Sequence, residues 1–277
     1  MTRRPTRGPA ARRHGPGSGV PPLMLVPALL GLAFLVLPVV AVLLRTPWAA
    51  LPRQLARPEV LESLRLSLVS AVLATVICLL LGVPLAWVLA RGELRGRGLV
   101  RALVTVPLVL PPVVGGVALL LLLGRRGVLG QYLDAWFGIS LPFSTTAVVI
   151  AEAFVAMPFL VISVEGALRG ADRRYDDAAA TLGASRWLTF RRVTLPLVAP
   201  GVAAGAALSF ARALGEFGAT ITFAGSFPGV TRTMPLSVYL ALETDPEAAI
   251  VLSVVLLVVS VLVLATLRGR WLSGVPR

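Results

Sequence analysis

Six apolar runs, each near or above about twenty residues, leave this 277-residue chain little choice of architecture. They are Pro21–Leu44, Ser63–Ala90, Ala102–Leu123, Thr145–Leu168, Leu197–Phe223 and Ala248–Leu267. A helix rising about 1.5 Å per residue needs about 20 apolar residues to cross roughly 30 Å of hydrocarbon, so each run predicts a transmembrane helix. In lipid the backbone must satisfy its own polar groups, and runs this long and uniform do not suit the strands of a barrel. The expected fold is all-α: a polytopic membrane helical bundle with six transmembrane helices.

Arginine placement orients it. The first twenty residues hold five arginines, the 91–101 loop four, the 169–196 loop six and the C-terminal tail three. The alternate loops hold six in all: Arg45, Arg53, Arg57, Arg125, Arg126 and Arg232. Positive charge stays on the cytosolic side, so both termini face the cytosol, N-in and C-in. Residues 1–20, MTRRPTRGPAARRHGPGSGV, read as a disordered basic cytosolic arm, because Arg, Pro and Gly there can bury nothing. The apolar run after Arg12-Arg13 is too long for a signal segment, so the arm is expected to be retained. Residues 21–277 then form the transmembrane domain.

Composition excludes much chemistry. The net charge of +13 is dispersed between apolar runs, which argues against nucleic acid as a partner. Every basic side chain except His14 is Arg. Without Lys there is no GxxxxGK[ST] phosphate loop, so the chain cannot hydrolyse ATP in that way. A single His in the arm offers neither a catalytic triad nor an ordinary zinc site. The single Cys, Cys78, lies in an apolar run and reads as a small buried residue. We therefore expect no enzyme, no metal and no cofactor in this chain.

Two runs are irregular. The third carries VPLVLPPVVGG, with Pro107, Pro111, Pro112, Gly115 and Gly116, and should kink or break near mid-membrane. The fifth carries SFARALGEFGATITFAG. Arg212 and Glu216 stand four apart on one helix face. Ionisable groups at this depth are costly and face protein or water. Counting along the helices puts Glu152 of the fourth run at a depth near that of Arg212, so the two are expected to be neighbours. Arg212, Glu216 and Glu152 either neutralise one another or lie near a path for an anion. Thr220, Thr222 and Ser226 are hydroxyls that serve either such a path or local caps. Glu165 sits near the cytosolic end of its run.

The 169–196 loop reads as two short helices in water. Asp172 suits an N-cap, Tyr175, Ala178, Ala179 and Leu182 share a helical stripe, and Gly183 supplies the turn. Ser185 suits the cap of the second helix, whose Trp187, Leu188, Phe190 and Val193 suit the membrane boundary. Pro196 is expected to stop that helix before the fifth span. The run of alanines either makes a plain helical linker or allows close approach to a partner's groove.

The segment Asp177-Ala178-Ala179, three residues, Gly183, nine residues, Val193-Thr194-Leu195-Pro196 resembles the EAA loop of ABC importer permeases, with Asp for Glu and Val for Ile. The stretch from Ala211 to Ala249, with GEFGAT and PGVTRTMPLSVY, and PLVLPPVVGG in the third run, resembles the permease subunits of molybdate ABC importers. The resemblance implies a type I ABC importer permease in a bacterial cytoplasmic (inner) membrane. It implies a permease homodimer, two ABC ATPase subunits that bind the ATP, and a periplasmic or lipid-anchored molybdate-binding protein. Carried over to this chain, Asp177, Ala178, Ala179, Gly183, Leu195 and Pro196 form the ATPase-docking loop. Sulfate and thiosulfate permeases share the GEFG-like region, so a sulfate/thiosulfate or tungstate ABC permease is the nearest alternative. A proton-coupled secondary anion transporter using Glu152 and Glu216 is the alternative of another class.

Overall fold

The computed structural model describes residues 22–92 and 95–272, and the expected basic arm, residues 1–20, lies outside the described residues. The described residues are helical, with no strand among them. The chain divides into two compact units, Met1–Arg45 and Thr46–Arg277. In the first, α1 (Pro22–Arg45) is one apolar helix that keeps Pro27 and Pro38 inside it. Its side chains, Leu23 and Phe34 among them, stand exposed along its length, as a lipid-facing span requires.

In the second unit, a short helix α2 (Leu51–Leu55) leads into α3 (Pro58–Arg91). Then follow α4 (Arg97–Val109), α5 (Pro112–Leu123), α6 (Gly130–Phe137) and α7 (Thr145–Gly170). The loop helix α8 (Arg174–Thr181) precedes α9 (Arg186–Leu214). The chain closes with α10 (Gly218–Phe223), α11 (Met234–Thr244) and α12 (Pro246–Leu272). Five described helices, α1, α3, α7, α9 and α12, are long and apolar enough to cross a membrane, and the bent pair α4–α5, counted as one broken span, brings the number to six.

The core is α3 and α9 packed on α7. In lipid no hydrophobic transfer drives helices together, so packing and hydrogen bonds must. The sequence supplies small residues for this. Ala71, Ala74, Cys78 and Ala86 of α3 are fully buried. Gly201 and Gly205 of α9 leave no room for a Cβ against Ala167, Ser163 and Leu160 of α7. A polar stripe on α3 adds bonds between helices. Ser63 accepts from the Ser237 hydroxyl at 2.8 Å, and Ser67 accepts from the Met234 N–H at 2.7 Å. Cys78 is buried, as expected, with its thiol 3.5 Å from the Ala153 carbonyl.

The third run breaks where the prolines stand. α4 and α5 meet at 116°. A residue before proline is driven out of the helical region, and here two such residues are consecutive. Leu110 takes ψ 131° before Pro111, and Pro111 takes ψ 133° before Pro112. Pro112 then opens α5, where its missing N–H has no helical partner to lose.

Two expectations need correction. The fifth run is not one helix to Phe223: α9 stops at Leu214, and Gly215, Glu216 and Phe217 separate it from α10. Nor does Pro196 end the loop helix. The helix runs from Arg186 into the fifth span through a π-helical segment, Phe190–Thr194, in which the Leu195 N–H bonds back to the Phe190 carbonyl. The wider π turn shifts the hydrogen-bond ladder at the point where proline removes a donor and crowds the previous turn.

Candidate functional site

Two regions hold the functional residues anticipated from the sequence: the 169–196 loop and the charged cluster at the α9–α10 break. In the loop, the N-cap of α8 is Arg173 rather than Asp172, whose carboxylate one residue earlier accepts from the Arg174 N–H at 2.9 Å. Gly183, at φ 80°, ends α8 in a left-handed turn. Its N–H reaches the Ala180 carbonyl at 2.9 Å, and the Ala184 N–H reaches Ala179 at 3.0 Å, the paired bonds of a Schellman motif. Ser185 then caps the next helix, its hydroxyl accepting from the Leu188 N–H at 3.3 Å.

The expected docking residues fall on this hairpin and around its root. Asp177, Ala178, Gly183 and Pro196 are exposed, and Ala179 and Leu195 are half-buried. Around the tip, Leu182 is 88% exposed and Trp187 69%, a degree of apolar exposure in water that suits a partner. The loop's ties to the bundle run through a residue that the sequence pattern does not single out. The Asp176 carboxylate accepts from the Thr194 hydroxyl at 2.9 Å and lies 3.6 Å from the Arg91 guanidinium. Arg91 also donates to the Ala171 carbonyl at 3.2 Å. Beneath α8 lies a cavity of about 500 Å³, lined in part by Trp87, Arg91, Asp176, Ala180, Phe190 and Thr194. Nearby, Glu165 pairs with Arg101 at 2.5 Å and with Arg169 at 3.0 Å, so it is neutralised by protein.

Inside the membrane, Arg212 pairs with Glu216 at 2.6 Å. The other Glu216 oxygen accepts from the Ala219 N–H at 2.8 Å and so caps α10. The expected Arg212–Glu152 pair does not form. Once the helix breaks at Gly215, Glu216 satisfies Arg212 locally, and Glu152 turns to α3, where it accepts from the Ser70 hydroxyl at 2.8 Å. Glu152 and Glu216 are each 1% exposed, and the second oxygen of Glu152 is buried without a hydrogen-bond partner among the described residues. Of the three hydroxyls, Thr222 donates to the Gly218 carbonyl one turn back, and Ser226 accepts from Arg232. The Thr220 hydroxyl is buried and unpartnered among the described residues.

The two breaks also pack on each other. A Cβ on Gly218 would stand 2.7 Å from the Pro112 side chain, and one on Gly116 would stand 2.8 Å from the Ala219 carbonyl. Glycine at both positions lets the starts of α5 and α10 approach closely. The cluster therefore joins the third and fifth spans at their interruptions, where membrane proteins place functional backbone.

Residues 79–273 match the family model of the binding-protein-dependent transport system inner membrane component. The chain is 51% identical over 255 residues to the molybdenum transport system permease protein ModB of Mycobacterium tuberculosis, covering 92% of this chain and 96% of that protein. It is 40% identical over 216 residues to ModB of Escherichia coli, covering 78% and 94%. It is 37% identical over 228 residues to the sulfate transport system permease protein CysT of Escherichia coli, covering 81% and 82%. Among solved structures, a bacterial ABC transporter involved in the import of alginate superposes with a TM-score of 0.71 at 15% identity, covering 92% of this chain and 95% of that one. That likeness concerns the fold alone. The crossing helices, the two interrupted spans, the family model and relatives similar along nearly the whole chain point the same way: this chain belongs to the binding-protein-dependent transport system inner-membrane components, the multi-pass permease subunits of ABC importers.

Proposed function

We propose that the chain carries molybdate across the inner membrane as the permease subunit of an ATP-driven importer. The observation that carries this reading is the 51% identity to a molybdenum permease along 92% of the chain, against 37% to a sulfate permease along 81%. Two copies would enclose the path, a binding protein would deliver the anion outside, and ATP would be bound and hydrolysed on separate ATPase subunits. Asp177, Ala178, Ala179 and Gly183, with Leu195 and Pro196 at the root of the fifth span, would dock those subunits. The exposure of the hairpin tip supports this, and so does the absence of any Lys for a phosphate loop. ATP binding would draw the docking loops together and turn the path outward, and hydrolysis would return it.

The test is uptake of labelled molybdate into liposomes holding the permease, its ATPase and its binding protein. Uptake should require ATP inside and persist when the proton gradient is collapsed. Uptake that runs without ATP and stops with the gradient would hand the function to a secondary transporter using Glu152 and Glu216. Competition with unlabelled sulfate and tungstate ranks the anions, and sulfate competing as well as molybdate would reassign the substrate.

A further inference from the structure

α8 carries the exposed tip of the loop, yet none of its residues is buried. Between it and the spans lies the half-open cavity of about 500 Å³, so its direct packing is limited. A helix with so little packing cannot push on the bundle through van der Waals contact alone. Its firm links to the spans are polar, and they meet at one carboxylate. Asp176 accepts from Thr194, in the π segment of α9, and faces Arg91, the last residue of α3. Arg91 in turn donates to Ala171, the cap of α7. The ends of α3 and α7 and the π segment of α9 thus meet on one small network. Its members are sheltered: the Arg91 side chain is 10% exposed, the Asp176 side chain 28%, and Thr194 is buried. The neighbouring Asp177 carboxylate makes no hydrogen bond or ion pair among the described residues and stands exposed. Adjacent aspartates are therefore partnered differently: both border the cavity, but only Asp176 is tied to the bundle.

We propose that Arg91, Asp176 and Thr194 form a clasp that carries displacement of the docking helix to α3, α7 and α9 together. They are positioning residues for energy coupling, distinct from the docking surface. This rests on the proposed docking of an ATPase at the loop and deepens it. A charge-assisted hydrogen bond in a sheltered site is directional, which a link beside a cavity needs.

The experiment uses the assembled complex in liposomes and reads three quantities: co-purification of the ATPase, ATP hydrolysis, and molybdate carried per ATP. Asp176→Asn removes the charge that faces Arg91, and Thr194→Val removes the hydroxyl while keeping the shape. Both complexes should co-purify and hydrolyse ATP, with transport per ATP reduced roughly tenfold, as loss of a hydrogen bond to a charged group implies. Thr194→Ser keeps the hydroxyl and should stay within about twofold of the parent complex, which simple repacking of the site would not predict. Unchanged transport per ATP in Asp176→Asn and Thr194→Val overturns the clasp. Loss of co-purification in Asp176→Asn also overturns it, by moving that residue into the docking surface. Ala178→Arg, on the exposed face, separates the two ideas. If that complex still assembles and couples, the docking reading fails and the clasp with it. If it fails to assemble while Asp176→Asn couples normally, the clasp alone is wrong.

Discussion

The chain makes two helix-to-helix junctions of similar design in two different solvents. In water, α8 ends at Gly183 and Ser185 caps the helix that follows. In the membrane, α9 ends at Gly215 and Glu216 caps α10. Each uses a glycine, left-handed at Gly183 but at φ −91° at Gly215, then a polar side chain beyond it and one N–H in the first turn of the next helix. The difference lies in what replaces a lost bond. Water can take the place of the Ser185 hydroxyl. Nothing comparable replaces Glu216, which is 1% exposed and also neutralises Arg212. The same capping grammar is thus a convenience at the surface and a requirement at depth.

The widest separation between the two junctions should come from Glu216→Ala. It removes the α10 cap and leaves Arg212 without its counter-charge. Stranding one member of a buried pair costs about 3–5 kcal/mol. Thermal unfolding of the permease in detergent micelles should show that loss. Glu216→Gln keeps an acceptor for the Ala219 N–H and should lose less, which isolates the charge. If Glu216→Ala unfolds as the parent does, the break is held by the glycines and prolines alone.

A second contrast concerns what each glycine is for. At Gly116 the demand is space, since a Cβ would meet Thr222 at 2.7 Å and the Ala219 carbonyl at 2.8 Å. Backbone cannot yield there, so Gly116→Ala should cost about 1–3 kcal/mol and loosen α5 from α10. At Gly183 the demand is conformation, since φ is 80° and nothing lies within 4 Å of a new Cβ. Gly183→Ala should cost about 1–2 kcal/mol, and Asn, which tolerates the left-handed region, should recover part of it. Asn at Gly116 should instead be worse than Ala. The two series measured side by side in the same thermal assay would sharpen or erase the distinction.

What was legible in the sequence follows the same division. The Gly183 turn, the Ser185 cap and the proline break between Leu110 and Pro112 were readable because each is dictated within a few residues. The long apolar runs and the arginine asymmetry were readable because lipid imposes them on the whole chain. The Glu216 break was not, because Arg and Glu four apart form the same ion pair on a continuous helix. The π segment at Phe190–Thr194 escaped for a related reason: Pro196 signals a disturbed ladder, which an end and a bulge satisfy equally. Depth alone pairs Glu152 with Arg212, yet depth does not tell which helix face it occupies. Its partner, Ser70, belongs to a serine stripe whose meaning depends on what packs against α3. Asp176 is hidden beside Asp177, since nothing local separates the carboxylate that bonds to the bundle from the one that does not.

The smallest effect should come from Ser185→Ala, and it is the stricter test of the comparison. The lost bond is exposed, long at 3.3 Å, and open to replacement by water. Removing an N-cap of this kind costs about 1 kcal/mol of local helix stability. Because the helix it caps continues to Leu214, that loss should fray only its first turn and leave the span intact. Hydrogen exchange at Leu188 should quicken while exchange at residues beyond the π segment holds. Ser185→Asp should restore protection at Leu188, since its carboxylate also caps and favours the positive helix end. Should Ser185→Ala instead loosen the fifth span as far as Glu216→Ala does, the π segment transmits disorder into the membrane, and the solvent contrast between the two junctions fails.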